Sequence, residues 1–91
     1  MTIEEAIKKH CENRPKNAGL MPTDEYGYLN INIDFLNENK LEDQTQFDVE
    51  PALFDYGLGK CPDLVDLWKD FCKENNFKQN SVIGIHIVGA W

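Results

Sequence analysis

No stretch of the chain is apolar for long enough to cross a bilayer, and the opening residues Met1-Thr2-Ile3-Glu4-Glu5 carry no basic segment followed by an apolar run. A membrane span and a secretory leader are therefore not expected, and the sequence reads as cytoplasmic. Cysteine is sparse: Cys11, Cys61 and Cys72 are odd in number and widely spaced, which suits a reducing compartment better than a disulfide framework. Low-complexity linkers and internal repeats are also lacking, so the 91 residues read as one domain, 1–91. A chain this short buries only ~60 to 65% of its unfolded surface, leaving little room for an enclosed active site.

Positive charge is scarce where negative charge is dense. Between Asp34 and Asp55 stand seven carboxylates (Asp34, Glu38, Glu42, Asp43, Asp48, Glu50, Asp55) against the single cation Lys40, a regional charge of −6 within a whole-chain charge of −7. Such a field attracts a basic partner and repels nucleic acid and anionic membranes, so direct nucleic-acid binding and membrane binding are not expected. Apolar residues at 42% are enough for a core to offset the entropy of ordering, so the chain is expected to fold by itself.

Thr2 followed by Glu5 is a capping box, and Ile3, Ala6, Ile7, His10 and Cys11 then recur at helical spacing. These features predict a helix from Thr2 to Asn13 that Pro15 stops. Residues 14–25, with two prolines and a glycine, read as a connection. From Tyr26 to Leu36 the period changes to two: Leu29, Ile31, Ile33 and Phe35 alternate with Tyr28, Asn30, Asn32 and Asp34, the pattern of a strand with one wet face.

After the polar run Asn37 to Gln44, the alternation of Thr45, Phe47 and Val49 with Gln46, Asp48 and Glu50 predicts a second strand, joined to the first as a long-looped hairpin. Pro51 can open a short helix through Phe54 that Gly57 ends. Leu64, Val65, Trp68, Phe71 and Cys72 predict an amphipathic helix over Pro62 to Asn76, with Asp63, Asp66 and Lys73 placed to complement its dipole. Ser81 to Trp91 reads as a strand apolar on both faces, Ile83, Ile85 and Ile87 on one and Val82, Val88 and Ala90 on the other. Burial on both faces suggests a central strand or one covered by something else. The expected fold class is α+β: α-β-β-α-β order, a mainly antiparallel three-stranded sheet, and two helices packed on one face.

Several constellations fall short of chemistry. The acidic segment lacks the spacing and central glycine of an EF-hand. Gly57-Leu58-Gly59-Lys60-Cys61-Pro62-Asp63 opens a helix as a phosphate loop does. However, Phe54 stands where a P-loop needs its first glycine, Cys61 replaces the hydroxyl that would hold magnesium, and Asp63 repels the ligand. Cys61 at a helix start could be an activated nucleophile, but no local motif supplies a base, and Asp63 opposes thiolate formation. His10, Cys11, Cys61, Cys72 and His86 contain zinc-binding atoms without paired-ligand spacing. His86, in a strand next to Gly84, reads as a half-buried polar residue rather than a pH switch. No cofactor, no metal and no catalytic residues are expected, and an enzyme is not the expected reading.

The function expected from the residues is a small acidic module that occludes a basic surface of a partner protein, as an inhibitor, immunity or anti-defence protein does. Asp34, Glu38, Glu42, Asp43, Asp48 and Glu50 supply the field, and Tyr28, Phe54 and Tyr56 the aromatic anchors. A solvated hairpin whose carboxylates merely protect an edge strand is the bland alternative. The rivals are an accessory subunit or homodimer that uses the last strand, with Val88 and Trp91 in an apolar contact, and a small thiol enzyme built on Cys61.

Overall fold

The computed structural model describes residues 1–14 and 22–88. The expected stop at Pro15 and the expected roles of Ala90 and Trp91 lie outside the described residues. Among the described residues, two α-helices and a three-stranded antiparallel sheet form a small α+β domain in the expected order.

Helix α1 covers Ile3–Glu12 and begins as its sequence requires. The Glu5 N–H donates to the Thr2 hydroxyl at 3.1 Å, and the Glu5 carboxylate accepts the Thr2 N–H at 3.1 Å. Two otherwise orphaned donors are thereby satisfied. The Thr2 N–H, and after it the Thr2 hydroxyl donating to the same carboxylate at 3.0 Å, hold the exposed Glu5 carboxyl below its ordinary range. The helix buries Ile3, Ala6 and Ile7.

Strand β1 (Leu29–Leu36) starts three residues later than the alternation suggests, because Asp24 gathers the preceding turn and Gly27 bends it at φ +84°. Strand β2 spans Glu42–Val49 and begins earlier than expected. The polar run predicts a long loop, but the hairpin closes in a few residues. Asn37 Oδ1 accepts the N–H of Asn39 at 2.9 Å and of Leu41 at 3.2 Å, while Lys40 takes the left-handed conformation at φ 59°. Pairing then runs unbroken from Leu36–Glu42 to Leu29–Val49. A polar edge strand has no apolar alternation to announce it, which is why these residues resemble a loop.

A 3-10 turn at Pro51–Leu53 follows, one turn long and ended by Phe54 rather than Gly57. Helix α2, Pro62–Asn75, buries Leu64, Trp68 and Cys72 and ends on Asn76 in the left-handed conformation, φ 58°. The Phe77 N–H then reaches back to the Cys72 carbonyl at 3.0 Å.

Strand β3 (Val82–Val88) departs most from expectation. The sheet order is β2-β1-β3, so β1 is central and β3 is an edge. Its register against β1 shifts between Asp34–Gly84 and Phe35–Val82, leaving Ile83 as the extra residue of a bulge. The bulge resets the alternation: Val82 and Ile85 are buried together, while Ile83 is 41% exposed. The expected pairing of Ile83 with Ile85 and Ile87 on one face is therefore incorrect.

Both helices cover the face of the sheet that carries Leu29, Ile31, Ile33 and Phe35, each at most 1% exposed. Trp68 is the largest side chain of this core; its ring lies 5.3 Å from that of Phe35 and 5.8 Å from that of Phe71. Its indole N–H donates to the Gln79 carbonyl at 2.9 Å. No helix among the described residues lies on the opposite face of the sheet. Among the described residues, no helix is long and apolar enough to cross a membrane.

Candidate protein-binding face

Burial of the odd-numbered side chains of β1 obliges Asn30, Asn32 and Asp34 to point the other way. The register then builds polar rows across the sheet. Asn30 stands between Asp48 and Val88, Asn32 between Gln46 and His86, and Asp34 between Gln44 and Gly84, with Glu42 opposite Leu36 at the end. None of these strand residues is a lysine or arginine.

At one end of the face, Asp24 organises the approach to β1. Its Oδ1 accepts the backbone N–H of Tyr26 at 2.9 Å and of Tyr28 at 3.0 Å, and its Oδ2 accepts from Asn30 Nδ2 at 2.9 Å. The bond from Asn30, followed by the backbone N–H of Tyr28, holds the Asp24 carboxyl below its ordinary range. The same Asn30 amide donates to Asp48 Oδ1 at 2.9 Å, and Gln46 Nε2 approaches that oxygen at 3.4 Å. At the other end, Asp34 accepts from Gln44 Nε2 at 2.8 Å and pairs with His86 Nε2 at 3.2 Å.

The chemical result is lopsided. The amide donors of Asn30 and Gln44 are used on carboxylates within the face, whereas carboxylate oxygens, each with more than one lone pair, still face solvent. The surface therefore presents acceptors and negative charge, the complement of an ammonium or guanidinium group. Apolar side chains stand at its ends: Tyr28 is 40% exposed beside Asp24, and Leu36 and Ile83 are each 41% exposed near Glu42.

Of the residues expected to supply the field, Asp34, Glu42 and Asp48 share this face. Glu38 is exposed in the hairpin turn. Asp43 belongs to the other side of β2, where its carboxylate accepts the Gln44 N–H at 2.8 Å, and Glu50 is exposed beyond the strand. Tyr28 is the one expected anchor at the surface of the face. Phe54 is a core residue, 4% exposed, with its ring 4.7 Å from that of Tyr56. Tyr56 is half-buried against α1: its hydroxyl lies 3.3 Å from His10 Nε2, and the Arg14 guanidinium sits 4.6 Å from its ring centre. Neither can anchor a partner on the open face.

Asp24, Asn30, Gln44 and His86 complete the arrangement, and none was singled out from the residues as part of it. Asp24-Glu25-Tyr26-Gly27 carries a signal that could have found the first, an aspartate closing a turn onto the N–H two residues ahead, with glycine following. His86 is exposed rather than half-buried, its side chain 53% accessible, because it occupies the open face of an edge strand.

The thiols lie elsewhere. Cys61 is 1% exposed, and burial pushes its thiol up despite the N–H groups of Leu64 and Asp63 at the helix start. Burial pushes Cys72 up to about 11. Both effects oppose thiolate formation. A groove of about 450 Å3 beside Cys61 is lined by Ile7, Leu58, Pro62 and Val65, with Lys8 and Lys60 at hand. Among the described residues, no group of three His, Cys, Asp or Glu side chains is arranged to hold a metal ion. Comparison with family models, curated proteins and solved structures finds no match to this chain.

Proposed function

We propose that the protein is a binding module that lays the open face of its sheet on a basic surface of a partner protein and occludes it, acting as an inhibitor, immunity or anti-defence protein. One observation carries this reading: Asp24, Asp34, Glu42 and Asp48 gather on a sheet face that no described helix covers and whose strand residues include no lysine or arginine. Complementary charge of this kind raises association rate and specificity more than raw affinity. Tyr28, Leu36 and Ile83 supply apolar contact at the two ends.

The test begins with capture of partners from the native host at low salt, followed by association kinetics of the purified pair over a range of salt. Replacing Asp34, Glu42 and Asp48 together by their amides is expected to slow association by ~10-fold or more and to flatten its salt dependence. Glu42 and Asp48 are exposed, Asp34 is 29% accessible, and the amides keep the shape of the carboxylates, so the fold is expected to survive. Association that is equally fast in the triple variant, and indifferent to salt, overturns the reading.

A further inference from the structure

We infer that the partner segment is taken up as an added strand on the outer edge of β2, and that this segment is extended and alternates basic with apolar residues. This rests on the basic-partner reading and supplies its mode of contact.

The geometry begins with the direction of the backbone groups. Leu36 donates its N–H to the Ser81 carbonyl at 3.0 Å, so the even-numbered residues of β1 turn their backbone groups toward β3 and the odd-numbered ones toward β2. By the register of the hairpin, Asp43, Thr45, Phe47 and Val49 then bond to β1, and Glu42, Gln44, Gln46 and Asp48 point theirs outward. The Gln44 N–H is covered locally by the Asp43 carboxylate. Among the described residues, no backbone hydrogen bond joins this edge to another element. The strand is eight residues long, its pairing has no register shift, and it contains neither lysine nor proline. A bulge, a lysine and a proline are the usual devices that keep an edge from taking up another strand. The opposite edge has more protection: β3 carries its bulge at Ile83, and both backbone groups of Val82 are bonded to Met1, at 3.2 Å and 2.9 Å.

The side chains along β2 select the occupant. On the open face an added strand would run beside Glu42, Gln44, Gln46 and Asp48, which favour lysine or arginine. On the other face it would run beside Thr45 and Phe47, with Asp43 at the end next to the hairpin turn. Phe47 is half-buried with its ring 5.8 Å from that of Phe71 on α2, and Leu67 lies one turn before Phe71 on the same helix. That side favours valine, isoleucine or leucine. A second copy of the chain is a poorer occupant than a basic segment: an antiparallel β2–β2 pair centred on Thr45 sets Glu42 opposite Asp48, like charges that destabilise it, and one centred on Gln44 sets Glu42 opposite Gln46, which gains nothing from charge. The carboxylates thus favour a basic strand, and cross-strand hydrogen bonds add affinity that charge alone lacks.

The test uses four capped seven-residue peptides: alternating Lys-Val-Lys-Val-Lys-Val-Lys, the same peptide methylated on every central backbone nitrogen, its Glu-for-Lys counterpart, and the block peptide Lys-Lys-Lys-Lys-Val-Val-Val. The alternating peptide is expected to bind and to slow amide exchange at Gln46 and Asp48 by ~10-fold or more, with little change at Thr45 and Phe47. Backbone methylation and Glu-for-Lys replacement are each expected to weaken binding by at least ~10-fold. Gln46→Pro changes no charge and removes an outward N–H together with the side-chain amide 3.4 Å from Asp48 Oδ1, so it is expected to abolish the protection of Asp48 while the circular dichroism stays native. The methylated peptide asks the same question of the unaltered protein if Gln46→Pro fails to fold.

Binding that survives methylation with no protected edge amide overturns strand addition and leaves the basic-partner reading standing. Failure of every lysine peptide, the block peptide included, overturns strand addition, whereas the basic-partner reading falls only if the triple amide variant associates with the captured partner equally fast and without salt dependence. Concentration-dependent self-association that protects Gln46 and Asp48 without peptide makes a second copy the occupant and overturns the basic-segment assignment.

Discussion

Trp68→Ala tests the packing on which the whole arrangement depends. Trp68 is fully buried and lies against Phe35 of the central strand and Phe71 of its own helix, with ring centres at 5.3 Å and 5.8 Å. Removing so large a side chain costs ~3 to 5 kcal/mol, since the surroundings collapse only in part. The Gln79 carbonyl also loses the indole N–H, for roughly another 1 kcal/mol. The total is a large share of the ~5 to 10 kcal/mol available to a domain of this size. At a urea dependence of ~1.5 kcal/mol per molar, a loss of ~4 to 6 kcal/mol lowers the midpoint by ~2.7 to 4 M, or the variant is unfolded at the start. Trp68→Phe keeps an aromatic ring beside Phe35 and Phe71 but not the N–H, and is expected to cost roughly 1 to 2 kcal/mol. Urea melts of the three proteins followed by far-ultraviolet circular dichroism give the comparison. A Trp68→Ala midpoint within ~0.7 M of the parent, or one above that of Trp68→Phe, refutes the proposed orientation of α2 on the sheet.

Stability is expected to decline as pH falls below about 6.5, because burial and then the nearby Arg14 hold the folded His10 below its ordinary value of 6.5, so the unfolded chain takes up the proton first. Its contribution is complete above 6.5 and is lost as pH drops toward the folded pKa. His10→Gln flattens that decline in denaturation midpoints measured at pH 7.5 and 5.5, and an unchanged slope shows the assignment to be in error. Alkylation of the native protein at pH 8 is expected to label the half-buried Cys11 first and to spare Cys61 and Cys72, with all three labelled in urea. Rapid labelling of native Cys61 at pH 6 contradicts that order and reopens the thiol-enzyme reading.

The elements legible in the residues are those whose signals are local. Thr2 and Glu5 are three residues apart and satisfy each other's backbone, so the start of α1 needed no tertiary information. Leu64, Trp68 and Cys72 recur at the helical repeat and all three are buried, as are Leu29, Ile31, Ile33 and Phe35 at the strand repeat. Periodicity of this kind reports that one side of a segment is dry, and a core of any architecture enforces it.

What the fold alone decided concerns which partner a segment meets. Glu42, Asp43 and Gln44 join β2 because β1 lies beside them and Asn37 closes the hairpin, a pairing that asks nothing of their polarity. The β3 bulge at Ile83 reverses which side chains face the core, and a run of isoleucines and valines looks the same in either register. Phe54 and Tyr28 are both aromatics beside the acidic segment, yet one is 4% exposed and the other 40%, a difference set by which side of the sheet the chain crosses. The charge of the acidic segment was plain from composition. Its division into a face with Asp24, Asp34, Glu42 and Asp48, and an open edge on β2, depended on strand order and register, because those quantities relate residues distant in the chain and leave no periodic trace within it.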